Sequence, residues 1–258
     1  MDWTTIAVNS FQGFFLIFVR IISMLSSIPF FGFKQIPNTA KVGFAYFLAL
    51  LLVPLIKIPV MPEELLPYGF LVAQQVLIGV LFGFVSFVFF SAIQLASQFM
   101  DLQMGFGLAN VIDPISNIQQ SLIGQIQFLM AILFFITMNG HHLLLIALQK
   151  SFQIIPLNGM AFSANLMPFI ITLFSSLFEI SLKLCLPVLS AIFLADVALG
   201  FLARMMPQMN ILVMGFPVKI FVGFVGIIIS FTVYFHMFPV MFQKGYEDII
   251  KLLYLLKP

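Results

Sequence analysis

Charge is what this sequence has least of. Its 258 residues hold 11 lysines and arginines and 9 aspartates and glutamates, a charged share of 8%. A soluble domain of this length carries roughly 65 charged side chains. So thin a polar coat excludes a soluble globular enzyme, and an apolar share of 62% excludes a disordered chain. Cysteine is nearly missing: Cys185 stands alone and cannot pair within the chain, which excludes a disulfide scaffold. The net charge of +2 is too small and too scattered for a nucleic-acid stripe. The amino terminus has no basic n-region and no small-x-small cleavage site behind its first apolar run, so that run is expected to be retained. What fills the sequence instead is apolar bulk, with 34 Phe and 15 Met and a mean hydropathy of +1.16. The class implied is an all-α integral membrane protein. The single tryptophan, Trp3, beside a helix start, suits a membrane interface.

About 20 helical residues cross a hydrocarbon core of ~30 Å. Six apolar stretches meet or approach that length: 11–31, 42–56, 68–100, 119–149, 166–203 and 216–242. Breaks between them carry turn chemistry, as in Pro37-Asn38, the three prolines Pro59, Pro62 and Pro67, and Asp113-Pro114. The organisation expected is one membrane domain over 1–258. Its N-terminal helices occupy 1–118 and end in a glycine-rich loop, helical hairpins occupy 119–243, and 244–258 form an amphipathic tail. Three stretches overshoot a bilayer, since a helix over 68–100 would be about 50 Å long at 1.5 Å per residue. Such helices protrude, kink or fold into hairpins, and Pro187 is expected to kink or break the fifth. Lysine counting favours a cytoplasmic tail: Lys57, Lys150, Lys244, Lys251 and Lys257 fall on one side, against Lys34, Lys41 and Arg204, with Lys219 just inside the next stretch.

Charges also fall inside the apolar runs, at Arg20, Glu179, Lys183 and Asp196. Each would cost about 2.5–3.5 kcal/mol at a bilayer centre, so they are expected to face protein or water. Glu179 and Lys183 stand at i, i+4 in the favourable orientation and neutralise each other in a protein-lined layer; a proton relay through Glu179 and Asp196 is the sharper alternative. His141-His142 is the nearest approach to a metal or catalytic pair. Adjacent helical residues point about 100° apart, and no acid or cysteine lies close in sequence to complete a site. No G-x-S-x-G, P-loop or dinucleotide motif occurs, and Gly105-Phe106-Gly107 lacks a third glycine. No catalytic, cofactor-binding or metal site is expected.

The segment 101–118 is the most informative break. Gln103, Met104, Gly105, Phe106, Gly107, Leu108, Ala109, Asn110, Val111, Ile112, Asp113 and Pro114 are glycine-rich yet apolar, and the segment has no lysine or arginine. Irregular backbone at membrane depth is tolerated only inside protein or along an aqueous cavity. A re-entrant or pore-blocking loop fits, and so does a short amphipathic segment at the interface.

One run carries a resemblance. Asp196-Val-Ala-Leu-Gly200-Phe-Leu-Ala-Arg204-Met-Met-Pro207-Gln208-Met-Asn210 is followed by Gly215-Phe-Pro217-Val-Lys219. It resembles the signature of the FliR/SctT family of type III secretion export-gate proteins, acid–x3–Gly–x3–Arg–x2–Pro-Gln–x–Asn and then Gly-x-Pro-x-Lys. Arg20 followed by Pro29-Phe30-Phe31 and Ile36-Pro37 is similar to that family's amino-terminal pattern, and Gln103-Met-Gly with Val111-Ile-Asp113-Pro114 is similar to its plug loop. The resemblance implies six long, kinked helices or hairpins packed in a helical hetero-oligomeric gate partly outside the bilayer. It implies one copy of this chain with several copies of FliP and FliQ, contact with the switch protein FlhB, and unfolded flagellar subunits as cargo crossing the bacterial inner membrane at the basal body. It also implies that 103–114 plug the channel and that Arg20, Glu179, Lys183, Asp196, Arg204 and Lys219 lie in assembly layers covered by protein. The competing function is a proton-coupled small-solute transporter using Glu179 and Asp196; a membrane-embedded hydrolase lacks a nucleophile and base.

Overall fold

The structure, a computed structural model, describes residues 3–29, 31, 36–62, 64–106, 121–208 and 211–258. Among them are seven α-helices and no strand: α1 Trp3–Ser27, α2 Asn38–Leu52, α3 Leu65–Met104, α4 Leu122–Thr137, α5 Gly140–Ile154, α6 Leu166–Met205 and α7 Ile211–Leu255. The all-α membrane class is the one the composition implied. Among the described residues five helices are long and apolar enough to cross a membrane, or six spans if the broken pair α4 and α5 counts as one. In lipid every backbone N–H and C=O needs a partner within the chain, and an uninterrupted helix supplies them all.

Local chemistry sets the boundaries. Pro37 precedes the first turn of α2, and Pro54 sits in the short 3-10 turn Val53–Leu55 that ends it. Ser121 caps α4, its Oγ accepting from Gly124 N at 2.6 Å. The stretch expected over 119–149 is two helices, because Asn139 takes the left-handed conformation (φ 57°) between them. Asparagine tolerates that region better than most residues. The fifth stretch is one 40-residue helix that passes through Pro187 without a break. The sixth runs 45 residues through Pro217 and Pro239 and takes in most of the tail. At 1.5 Å per residue, 40 residues reach about 60 Å, twice a bilayer core.

The residues form two compact units. The first comprises Met1–Val88, Asn139–Phe174 and Gln243–Pro258; the second comprises Phe89–Met138 and Ser175–Phe242. In the first, Leu16, Ile17, Met24 and Ile28 of α1, Ile78 and Phe82 of α3, Leu148 of α5, and Leu252, Leu253 and Leu256 at the end of α7 are buried. The last turn of α7 is stapled down, since Leu256 O accepts from Ala161 N (3.2 Å) and Leu255 O from Ser163 N (3.1 Å). The second unit centres on rings of α3, α4 and α7: Phe90 meets Phe128, Phe135 and Phe242, each at 5.8 Å. Polar groups there are paired, with Gln127 Nε2 donating to Tyr234 Oη at 2.8 Å and Ser97 Oγ donating to Gln127 Oε1 at 2.5 Å.

Candidate functional site

The last turn of α3 opens the glycine-rich segment, and its geometry follows from two residues. Asp101 is buried; its carbonyl accepts from Gly105 N (3.1 Å) and Phe106 N (3.0 Å), closing the helix end. Gly105 turns the chain out at φ +92°, where an L side chain is strained, and a Cβ there would sit 2.7 Å from the Phe216 ring. The Asp101 carboxylate then reaches the far side of the segment, where Oδ1 accepts from Ile123 N at 3.3 Å in the first turn of α4. One aspartate thus holds both ends of the segment. Gly107, Leu108, Ala109, Asn110, Val111, Ile112, Asp113 and Pro114 lie outside the described residues.

The neck is tied to α6 and α7. Gln103 Nε2 donates to Asp196 Oδ2 at 3.3 Å, and Asp196 Oδ1 pairs with Lys219 Nζ at 2.6 Å. Met104 is fully buried against Gly223, where a Cβ would come within 2.6 Å of its side chain. Phe106 packs edge-on against Phe224 at 6.4 Å. The structure therefore brings together the start of the expected loop and two charges of the family signature. Of the remaining signature residues, Gly215 is buried with Leu199 3.6 Å from where its Cβ would be, and Gly200 faces open space. Pro207 and Gln208 are exposed in the turn after α6, Pro217 is exposed inside α7, and Asn210 lies outside the described residues. Arg204 does not join the pair: it is exposed in the last turn of α6, where a cation suits the helix dipole.

The other expected charges sit elsewhere. Glu179 and Lys183 pair along α6 at 2.5 Å with both side chains more than half exposed, at 58% and 57%. Arg20 is fully buried in the first unit, and the protein around it is this chain's own. Its Nε donates to Gln75 Oε1 (2.6 Å), its Nη1 to Ser151 O (3.1 Å), and both Nη atoms to Ile155 O (3.1 Å). Its guanidinium lies 4.3 Å from the Phe152 ring centroid. The cation therefore ends α5, satisfying Ile155 O, which the helix C-terminus leaves free, and adding a second donor to Ser151 O, which also accepts from Ile155 N. The His141 and His142 rings lie 4.4 Å apart, and among the described residues no group of three or more His, Cys, Asp or Glu could hold a metal ion.

Sequence reasoning missed Asp101 as the clasp of the loop and Gln75 as the partner of Arg20. It also missed Gly79-x3-Gly83 on α3, which packs on α1 with Ser23 and Ser27 opposite. That spacing is a small-x3-small signature of close helix contact and was readable in the sequence.

The Asp196–Lys219 pair is about one-third exposed on each side, so its strength is modest. Lys219→Ala is expected to cost about 1 kcal/mol in unfolding of the purified chain. A charge swap, Asp196→Lys with Lys219→Asp, is expected to recover part of that loss; no recovery would show that the two do not act as a pair.

Long apolar helices, a fully buried cation bound by the chain's own carbonyls and a helix end turned out at Gly105 define an all-α integral membrane protein. The profile of the family described as "Bacterial export proteins, family 1" matches residues 11–245. The flagellar biosynthetic protein FliR of Bacillus subtilis (strain 168) is 37% identical over 250 residues, covering 95% of this chain and 96% of that protein. FliR of Escherichia coli (strain K12) is 31% identical over 205 residues, 80% of this chain and 78% of its own. The chain belongs to this family of export proteins and is a component of flagellar protein export.

Proposed function

We propose that this chain is a structural, non-enzymatic subunit of the flagellar type III export gate in the bacterial inner membrane, at the flagellar basal body. In this reading it assembles with FliP and FliQ, contacts FlhB, and lines and plugs the channel taken by unfolded flagellar subunits. The observation that carries it is the clasp: Asp101 holds both ends of an apolar, cation-free, glycine-rich segment at one point, as a plug hung from a fixed neck requires. The outer face of α6 adds support, since Phe178, Leu182, Leu186, Phe193 and Phe201 are all exposed and suit neighbouring subunits or lipid. The transporter alternative would need free carboxylates at Glu179 and Asp196, and each is occupied by a lysine.

Deleting residues 105–110 is expected to make cells leaky to small ions while export partly survives, read as ion flux and as flagellin secreted to the medium. A deletion strain with a tight membrane and intact secretion would overturn the plug. Co-purification of the wild-type chain with FliP and FliQ in one detergent-extracted complex is the expected stoichiometric result. A monodisperse monomer would return the transporter.

A further inference from the structure

We infer that the carboxy-terminal turns of α7 carry a binding site for the headgroup of an anionic phospholipid. A groove in the first unit is lined by Lys150, Tyr246, Glu247, Ile250, Lys251 and Tyr254. Lys150 comes from the end of α5 and donates from Nζ to Tyr246 Oη at 3.0 Å. Lys251 sits 5.5 Å above the Phe169 ring at the start of α6. Among the described residues neither ammonium has a carboxylate at ion-pair distance. Both stay on aromatic groups, although Glu247 and Asp248 stand on the same helix. Glu247 is engaged along the helix instead, accepting from Gln243 Nε2 at 3.2 Å.

The groove's place on the helix selects its occupant. The apolar run 216–242 ends at Gln243-Lys244, about one turn before the groove, so the turns beyond it lie where hydrocarbon gives way to headgroups. The inward face, Ile249, Leu252, Leu253 and Leu256, is buried, while Lys251 and Tyr254 face outward. Lysine and tyrosine at the end of a span are the side chains that sit at the headgroup level, and lysines there attract anionic lipid. Two ammonium groups that hold no carboxylate at contact distance and two phenol rings complement a phosphodiester, and the exposed side of Ile250 offers an apolar wall to the first methylenes of its chain. Charge complementarity with a lipid phosphate, at the depth where such phosphates lie, is what commits the site to lipid.

The full chain in mixed micelles of phosphatidylglycerol and phosphatidylcholine, read by native mass spectrometry, tests this. Phosphatidylglycerol is expected to be retained in preference to phosphatidylcholine. The double variant Lys150→Gln with Lys251→Gln is expected to weaken that retention roughly thirtyfold, about fivefold per lysine at an anionic surface. Lys183→Gln on α6, which removes the same charge outside the groove, is expected to leave it unchanged. Circular dichroism of each variant confirms the fold, and Tyr246→Phe provides a milder second variant expected to weaken retention in the same direction. Equal retention of the two lipids, an equal loss in Lys183→Gln, or displacement of the lipid by inorganic phosphate would each overturn the assignment, the last by showing a small-anion site.

Discussion

Replacing Arg20 with alanine is expected to cost about 4 kcal/mol of stability, lowering the unfolding temperature of the detergent-purified chain by about 10 °C. The side chain is 1% exposed and joins three helices: it leaves α1, bonds Gln75 on α3, and ends α5 through Ser151 O and Ile155 O. Truncation orphans Ile155 O and the Gln75 oxygen inside a low-dielectric core, at roughly 1–3 kcal/mol for each buried group left unmade, while Ser151 O keeps its bond from Ile155 N at 2.9 Å. It also leaves an empty volume next to Phe152, over which the guanidinium lies. No carboxylate is stranded, because Arg20 has none among its hydrogen-bond partners, so the loss should fall short of the worst broken ion pairs. Arg20→Lys keeps the charge and loses the fork, and is expected to recover less than half of the stability. An alanine variant that melts with the wild type would mean that α5 is ended by other means.

The all-α class, the six apolar stretches and the family signature were legible in the sequence because hydropathy and spacing report them directly. The partners of the charges were not. Arg20 looked as if it needed neighbouring subunits, since no acid lies near it in sequence. Its ligands are instead carbonyls at Ser151 and Ile155, more than 130 residues away, and every residue has a carbonyl. Asp196 and Lys219 were both singled out, yet that they meet each other while Arg204 stays apart depends on how α6 and α7 pack. Helix continuity was left open for a related reason. Pro187 stops a helix by local propensity, but at membrane depth an interrupted backbone would leave unpaired groups in hydrocarbon, so α6 continues. Asn139 did the opposite, breaking the stretch expected over 119–149 at Asn139-Gly140-His141-His142, a turn pattern that was readable in the sequence.

Burial shows the same limit. From their length and their inward charges, much of the apolar surface of three stretches, 11–31, 68–100 and 166–203, is expected to be covered by partner subunits. In α3 the most apolar window is already 61% buried by the chain itself, whereas in α6 it is 22% buried. The two helices are equally long and similarly apolar, and composition cannot separate them. What separates them is glycine spacing: α3 carries Gly79 and Gly83 on the face that meets α1, and α6 carries no such pair.

That contact leads to the second large effect. Gly79→Leu is expected to abolish the folded chain, and Gly79→Ala to cost about 2–3 kcal/mol. A Cβ at Gly79 would collide with Ser23 Oγ and lie 2.6 Å from Arg20 O and 2.9 Å from Met24 N. The hydroxyl can rotate away, but the two backbone atoms cannot, so α1 itself must move. Any such shift also drags Arg20 from Gln75, Ser151 and Ile155, which couples the two sites. Ser23→Ala in the Gly79→Ala background removes only the first collision and is expected to restore a minor part of the loss. Gly69, on the same helix, has nothing within 4 Å of where its Cβ would be. Gly69→Ala is therefore expected to stabilise by up to about 1 kcal/mol through helix propensity alone. Thermal unfolding of the three variants reads the contrast in sign. If Gly79→Ala proves as benign as Gly69→Ala, α1 and α3 do not meet backbone to backbone, and the packing that seats Arg20 is wrong with it.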